Sequence, residues 1–226
     1  MLFCKTFGSI LQLAIIEVKL KKFLHVGCGP KTKEQTTLVF NSDDWAEIRL
    51  DIDESVNPDI VASLPDLSDI ETGSYDAIFS SHNIEHLYPH EVDIALQEFI
   101  RVLNDDGYLL ITCPDLQNVA KYVAEGKLLD PLYESPAGPI APLDIIFGHR
   151  ASLQNGNHYM AHKCGFTQNV LIGLFNNAGF NAVNGAARED AFDLWCIGSK
   201  NPETGTDTMA NVLREHLGVM ETPEIN

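Results

Sequence analysis

Short apolar runs alternate along the chain with amphipathic or polar stretches. Five runs have the length of a strand and are rich in Ile, Val and aromatic residues; they cover residues 23–26, 48–52, 59–62, 75–79 and 108–113. β-Branched and aromatic residues favour the pleated, half-buried backbone of a sheet. Most of these runs end at glycine or at a polar residue, so the pattern predicts five strands.

Two stretches carry apolar residues at helical spacing instead. In residues 91–103 the apolar positions fall on one side of a helix and charged residues on the other; they are Val92, Ala95, Leu96, Phe99, Ile100 and Leu103. Residues 167–178 form the second amphipathic stretch. Thr167 is placed to cap that helix and Gly179 to end it. The pattern therefore predicts two helices.

Strands alternating with helices predict an α/β fold of the Rossmann-like, doubly wound type, with a mostly parallel sheet and helices on both faces. Two further strands, residues 180–186 and 191–198, are joined by a short link and are expected to pair antiparallel. Ligands bind such sheets beyond the carboxyl ends of the strands. We therefore expect function just after Val26, Ile52, Ala62, Ser80 and Cys113.

Residues 115–160 interrupt this alternation. The segment is long for a connection and contains four prolines. Long segments of this kind are typically functional or mobile. It is either a surface excursion or a lid over the binding edge, and its position after the fifth strand favours the lid.

These patterns divide the chain into three parts. Residues 22–200 form one domain, with the lid inserted at about 115–162. Residues 1–21 precede it as a packed N-terminal element. Residues 201–226 follow as a polar, peripheral tail with one short helix.

Composition narrows the classes of partner. The net charge is −17, with only 15 Lys and Arg residues, which disfavours nucleic acid because its binding depends on basic side chains. The five cysteines include no C-x-x-C pair, which disfavours a disulfide framework or a structural zinc site and suits a reducing cytoplasm. Apolar runs are too short for a membrane span.

A glycine loop follows the first strand, and an acid ends the second. Gly27 and Gly29 permit a tight turn and close approach of the backbone to a ligand, and the helix expected next would aim its free N–H groups at an anion. Asp51 is placed to accept hydrogen bonds from ribose hydroxyls. Thr32 occupies the third glycine position of a dinucleotide loop. The pattern thus favours a nucleoside cofactor other than a dinucleotide.

With these residues in view, the sequence resembles the class I S-adenosylmethionine-dependent methyltransferases, in particular the type 11-like group. The resemblance spans residues 22–200. It rests on LHVGCGP (24–30), LDID (50–53), PDIVASL (58–64), YDAIFSSH (75–82) with EHL (85–87), FIRVL (99–103) with GYL (107–109), and GFT (165–167) with AGF (178–180). It implies strand order 3-2-1-4-5-7-6, with strand seven antiparallel.

The resemblance also implies a cofactor, S-adenosylmethionine, and the residues that hold it. The glycine loop would hold the methionine part, the acid after strand two the ribose, the residues after strand three the adenine, and the loop after strand four would flank the sulfonium. In this chain these are Gly27, Cys28, Gly29, Pro30, Asp51, Ile52, Ser63, Leu64 and Ser81. The chain departs from the family pattern at His25, Lys31 and Ser63, where an acid, a glycine and an Asp are common.

Histidines cluster after strand four. His82 is the candidate general base, because an imidazole of near-neutral pKa suits deprotonation of a hydroxyl or carboxylic acid; it could equally cap the next helix. His82-x-x-Glu85-His86 also matches the H-x-x-E-H of inverted zinc peptidases. Pro89 limits the helix such a site needs, and the sequence offers no clear third ligand, so we predict no metal.

The predicted function is S-adenosylmethionine-dependent methyl transfer to a small-molecule acceptor in the cytoplasm. Asp115, His158 and His162 are the candidate substrate-side residues. We predict no nucleic-acid or membrane partner and make no prediction of oligomeric state. The alternatives are a cofactor-binding, non-catalytic subunit of a partner enzyme and, from the H-x-x-E-H motif, a zinc hydrolase.

Overall fold

A computed structural model describes residues 20–218, so most of the predicted N-terminal element lies outside the described residues. The strands are β1 (Lys21–Val26), β2 (Trp45–Asp51), β3 (Ile60–Val61), β4 (Tyr75–Ser81), β5 (Leu103–Pro114), β6 (Tyr133–Ser135), β7 (Gly138–Ile140), β8 (Ala182–Arg188) and β9 (Asp193–Ser199). The α-helices are α1 (Pro89–Val102), α2 (Leu116–Ala124), α3 (Pro142–Phe147), α4 (Arg150–Gln154), α5 (Gln168–Ala178) and α6 (Thr206–Leu217).

Seven strands form one sheet in the order β3-β2-β1-β4-β5-β9-β8. The first five are parallel, and β9 runs antiparallel to both β5 and β8. With β8 and β9 as strands six and seven, this is the predicted order 3-2-1-4-5-7-6. The predicted Rossmann-like α/β fold is therefore confirmed, including the antiparallel last strand.

Helices cover both faces of the sheet. On one face α1 packs with α5, and the apolar stripe predicted for α1 is buried through Val92, Leu96 and Phe99. On the other face Phe23 and Phe40 stack with ring centroids 4.3 Å apart, and α6 packs beside them. Burying an aromatic side chain contributes about 1.5–3 kcal/mol, so these two clusters carry much of the stability of the fold.

Helix α5 begins and ends near the predicted positions. Thr167 is its N-cap residue, although its hydroxyl makes no capping hydrogen bond within residues 20–218. Gly179 ends the helix in the left-handed conformation, with φ 110°. Helix α1 begins at Pro89, because proline suits the first helical position and Glu91 accepts the Tyr88 N–H at 2.8 Å.

The helix expected between β1 and β2 is a wrong prediction. Across residues 27–44, all of which the structure describes, the regular element is a single 3-10 turn, Lys33–Gln35. The Lys33 ammonium donates to the Ser42 and Trp45 carbonyls, both at 3.1 Å, and so closes the segment back on itself. No helix N-terminus therefore faces a ligand here, and backbone N–H groups of the loop are the available donors.

Residues 115–162 fold into a compact unit. They comprise α2, the β6–β7 hairpin, α3, α4 and a 3-10 turn, His158–Met160. Val119, Ile140 and Ile145 pack together against Phe192. The Arg150 guanidinium pairs with the buried Asp144 carboxylate at 2.7 Å. This segment is therefore ordered around an apolar cluster that it shares with Phe192.

The tail is less peripheral than its polarity suggests, because α6 buries Met209, Leu213 and His216. The His216 imidazole lies 2.7 Å from the Thr37 hydroxyl and 3.0 Å from the Tyr108 hydroxyl. Burial lowers the pKa of His216 to about 4. The imidazole is therefore neutral in the folded protein at neutral pH.

We expect His216 to make the protein acid-sensitive. Because its folded pKa lies below the unfolded value of about 6.5, the unfolded chain binds a proton between these values that the folded chain does not. The free energy of unfolding is therefore unaffected by protonation of His216 above about pH 6.5. It falls by about 3 kcal/mol as the pH drops towards 4. Urea unfolding across that range should show the loss in the wild type and a shallower slope in His216→Asn. An equal dependence of the free energy of unfolding on pH in the two proteins would contradict this role of His216.

Candidate functional site

A cavity of about 650 Å³ lies at the carboxyl ends of the central strands, where the topology predicts the ligand site. Its walls are the loops that follow β1, β2, β3 and β4, together with residues 157–160. The 115–162 segment thus contributes one wall through its last turn. Its action as a lid remains a prediction.

The glycine loop is held against the loop after β4. Gly27 and Gly29 both adopt left-handed conformations, with φ 61° and 54°. A Cβ on Gly27 would lie 2.0 Å from Asn83 Oδ1. The Asn83 amide donates to the Val26 carbonyl at 3.0 Å and to the Ser81 carbonyl at 2.9 Å. The absence of a side chain at Gly27 therefore lets Asn83 join the ends of two strands.

Asp51 fixes the same loop from the neighbouring strand. Its Oδ2 accepts the Gly29 N–H at 2.7 Å, and its Oδ1 accepts the Asp53 N–H at 2.9 Å. Each carboxylate oxygen keeps a further lone pair for another donor. Asp51 is therefore both part of the loop and an acceptor on the wall of the cavity.

Arg49 is a loop-positioning residue that the sequence reasoning missed. Its guanidinium donates to the Gly29 carbonyl at 2.6 Å and the Lys31 carbonyl at 3.0 Å. It also donates to the Asn57 carbonyl at 2.9 Å. One planar, five-donor group thus ties the glycine loop to the turn after β2.

We expect Arg49→Met to lower the free energy of unfolding by about 1–3 kcal/mol, because hydrogen bonds from a charged donor are lost at several carbonyls. Arg49→Lys should recover part of that loss, since an ammonium lacks the planar fork. Urea unfolding measures both. Arg214→Met, on the exposed side of α6, is the matched control. A loss equal to that of the control would contradict the role of Arg49.

His25 stands where the family often has an acid, and it is paired with one. Its Nδ1 lies 2.6 Å from Glu47 Oε1, and Glu47 Oε2 accepts the Lys33 N–H at 2.8 Å. The His25 side chain is buried and lines the cavity. The carboxylate next to His25 thus belongs to the adjacent strand β2, and His25 itself lines the cavity.

The structure brings every predicted cofactor residue to the wall of this cavity, and their roles remain predictions. They are Gly27, Cys28, Gly29, Pro30, Asp51, Ile52, Ser63, Leu64 and Ser81. Burial raises the pKa of the Cys28 thiol, which keeps it protonated. The Ser81 hydroxyl lies 2.9 Å from the Thr112 hydroxyl, so it is partly engaged with β5.

His82, the candidate base, also lines the cavity. Its backbone is left-handed, with φ 55°, and its side chain is about half exposed, at 51%. Its Nδ1 lies 3.5 Å from Glu85 Oε1. Burial acts to lower the pKa of His82, but the Glu85 carboxylate outweighs it and raises the pKa. A His82–Glu85 pair at the cavity wall suits proton transfer.

Glu85 lies behind His82, and its side chain is 1% exposed. Neither carboxylate oxygen has a hydrogen-bond partner among residues 20–218. Burial acts to raise the pKa of Glu85, but His82, His86 and His162 together lower it. The buried carboxylate is therefore charged, with three histidines near it.

The H-x-x-E-H motif does not have the geometry of an inverted zinc peptidase. That site needs two histidines one turn apart on a helix. Here His82 is left-handed, and Ile84–His86 is a short 3-10 turn. The motif therefore does not place His82 and His86 on one helical face.

The three substrate-side candidates, Asp115, His158 and His162, lie in different parts of the structure. His158 lines the cavity, with Tyr159 and Lys163 as further wall residues that the sequence did not single out. Asp115 lies outside it as the N-cap of α2, accepting the Gln117 and Asn118 N–H groups. His162 lies beside a smaller cavity of about 230 Å³. Of these three candidates, only His158 lines the larger cavity, and its role towards a substrate stays a prediction.

Within residues 20–218, no helix combines the length and the apolar character needed to cross a membrane.

Comparison with known proteins agrees with the predicted fold. Residues 24–111 match the family model described as a methyltransferase domain. No curated protein sequence matches the chain. The matched residues contain the glycine loop, Asp51 and the histidine cluster after β4.

Solved structures share the fold at low sequence identity. A methyltransferase from Methanosarcina mazei superposes with a TM-score of 0.54 at 16% identity, over 81% of this chain and 94% of that one. One from Archaeoglobus fulgidus gives 0.51 at 15% identity, over 79% and 86%. The 1,6-didemethyltoxoflavin-N1-methyltransferase of Burkholderia thailandensis, solved with S-adenosylhomocysteine, gives 0.51 at 13% identity, over 81% and 72%. Residues 24–111 thus match a methyltransferase domain, and the chain shares its fold with solved S-adenosylmethionine-dependent methyltransferases.

Proposed function

We propose that this chain binds S-adenosylmethionine in the 650 Å³ cavity and transfers its methyl group to a small-molecule acceptor. The observation that carries the proposal is the convergence of the glycine loop, Asp51 and His82 on that one cavity. Such convergence of backbone donors, an acid and a titratable group marks a binding site.

The cofactor would lie along the strand ends. The backbone at Gly27 and Gly29 approaches the cavity without side chains in the way. Asp51 offers its remaining lone pairs to the ribose hydroxyls, and Ser63 and Leu64 border the position expected for adenine. This arrangement follows the residues predicted from the resemblance.

When bound, S-adenosylmethionine would supply an electrophilic methyl group on a sulfonium for in-line displacement. The contribution of the protein is to orient the acceptor and exclude water. His82 faces Glu85 through Nδ1, which leaves Nε2 to take a proton from the acceptor. The Glu85 carboxylate stabilises the imidazolium that forms.

The acceptor is expected to be small. The cavity must hold both cofactor and acceptor in about 650 Å³, within the range of sites for small ligands. The charge of −17 disfavours a phosphate backbone as substrate. The wall at residues 157–160 is the region we expect to select the acceptor.

Calorimetry with S-adenosylhomocysteine tests cofactor binding. We expect one site of micromolar affinity. No detectable binding at high micromolar ligand would overturn the proposal. A panel of phenols, carboxylic acids and amines, assayed for S-adenosylhomocysteine release, then tests transfer and identifies the acceptor class.

His82→Asn is expected to lower kcat by about 10²–10⁴-fold with the acceptor found in that panel, the range for loss of a general base. Its affinity for S-adenosylhomocysteine should stay within about threefold of the wild type. His90→Asn, an exposed histidine of α1, is the matched control. Full activity of His82→Asn with unchanged binding would contradict the role of His82 as the base.

A further inference from the structure

We propose that Glu85, His86 and His162 bind a divalent transition-metal ion, zinc being the natural match. One ligand atom of each residue lies within 4.8 Å of the other two. A tetrahedral zinc site has metal–ligand bonds of about 2.0–2.2 Å. To bind one ion, the three ligand atoms must therefore move closer together by about an ångström. Two histidines and one glutamate form a set that zinc accepts, with its fourth position open. This inference does not depend on the proposed methyl transfer.

Backbone carbonyls hold the Nδ1 atoms of both imidazoles. His86 Nδ1 lies 3.1 Å from the Ala161 carbonyl, and His162 Nδ1 lies 2.7 Å from the Ile145 carbonyl. A carbonyl only accepts, so Nδ1 carries the hydrogen on each ring and Nε2 keeps its lone pair. Metal-binding histidines commonly donate their other N–H to a carbonyl in this way. The outer hydrogen bonds of a metal site are therefore present.

The environment of the Glu85 carboxylate also favours a bound cation. Its carboxylate is buried, and both oxygens lack a hydrogen-bond partner within residues 20–218. A buried carboxylate without a hydrogen-bond partner is costly. A bound cation would supply the contacts that both oxygens lack.

The backbone fixes the three ligands relative to one another. The Glu85 carbonyl accepts the Lys163 N–H at 2.8 Å and the Cys164 N–H at 3.2 Å. The His162 N–H donates to the Phe147 carbonyl at 3.2 Å. The segment that carries His162 is thus attached to the turn that carries Glu85 and His86. His162 lies far from His86 along the chain, so the sequence alone does not indicate it as a third ligand.

Metal content of the purified full-length chain tests the proposal. After treatment with a chelator and reconstitution with Zn²⁺, elemental analysis should find one equivalent in the wild type and in His90→Ala. Glu85→Gln and His162→Ala should each lose it. Cobalt(II) should give the visible absorption of a tetrahedral site in the wild type and not in Glu85→Gln.

Thermal unfolding provides a readout that does not depend on activity. At a Zn²⁺ concentration about 100-fold above Kd, Tm should rise by about 5–10 °C in the wild type and stay constant in Glu85→Gln. If His162→Ala does not fold, Glu85→Gln decides the question, because it keeps the size of the side chain and removes a buried charge. Zinc-free wild type after reconstitution, or equal zinc in Glu85→Gln, would overturn the proposal and indicate a protonated histidine beside Glu85.

Discussion

Gly27→Ala is expected to weaken S-adenosylhomocysteine binding by about 100-fold and to destabilise the fold. A left-handed alanine costs about 1–2 kcal/mol, and Gly27 has φ 61°. The added Cβ would also lie 2.0 Å from Asn83 Oδ1. Asn83 would have to rotate, losing its hydrogen bonds to the Val26 and Ser81 carbonyls. Two such bonds contribute about 1–3 kcal/mol together.

Binding suffers because the displaced Asn83 side chain already lines the cavity. A combined cost of about 3 kcal/mol in the binding-competent loop corresponds to roughly 100-fold in affinity. Calorimetry measures the affinity, and urea unfolding measures the stability.

Gly126→Ala is the control that distinguishes the effect of backbone strain from the effect of the contact with Asn83. Gly126 has φ 79°, and a Cβ there would meet nothing within 4 Å. It should lose about 1–2 kcal/mol of stability and keep its affinity for S-adenosylhomocysteine. If Gly27→Ala and Gly126→Ala had equal effects on stability and on affinity, the contact with Asn83 would have no role.

Much of the fold could be predicted because its signals are local. Strand-length apolar runs ending at Gly27 and Asp51 identify the binding edge, and the stripe on α1 identifies a buried helix face. The absence of an α-helix between β1 and β2 could not be predicted in this way. There, Phe40 is drawn into the core beside Phe23 and the Lys33 ammonium closes a turn, so tertiary contacts decide the backbone.

The candidate site was predictable only where its residues follow strand ends. Arg49 sits within an apolar run and has the appearance of an ordinary exposed strand residue, yet its guanidinium ties two loops together. His162 lies far along the chain from His86, and their rings meet with centroids 4.9 Å apart only after folding. A single sequence contains no local pattern that reports such a contact.

Asp51→Asn is expected to weaken S-adenosylhomocysteine binding by at least about 100-fold, although the side chain keeps its shape. Both carboxylate oxygens accept backbone N–H groups, from Gly29 and from Asp53. An amide has one oxygen and one NH₂, so one of these N–H groups would face another donor. Losing a hydrogen bond to a charged acceptor costs about 1.5–3 kcal/mol, and the ribose would lose a charged acceptor as well.

Asp59→Asn, directly before the neighbouring strand β3, is the matched control. Asp59 is exposed, and its Oδ2 accepts the Arg49 N–H at 2.8 Å. An asparagine there can turn its oxygen towards that single donor, so we expect less than about 1 kcal/mol of destabilisation and an affinity close to that of the wild type. Calorimetry on both variants distinguishes the outcomes. Wild-type affinity in Asp51→Asn would remove Asp51 from the cofactor site, because an acid that holds the glycine loop and the ribose cannot be replaced without loss.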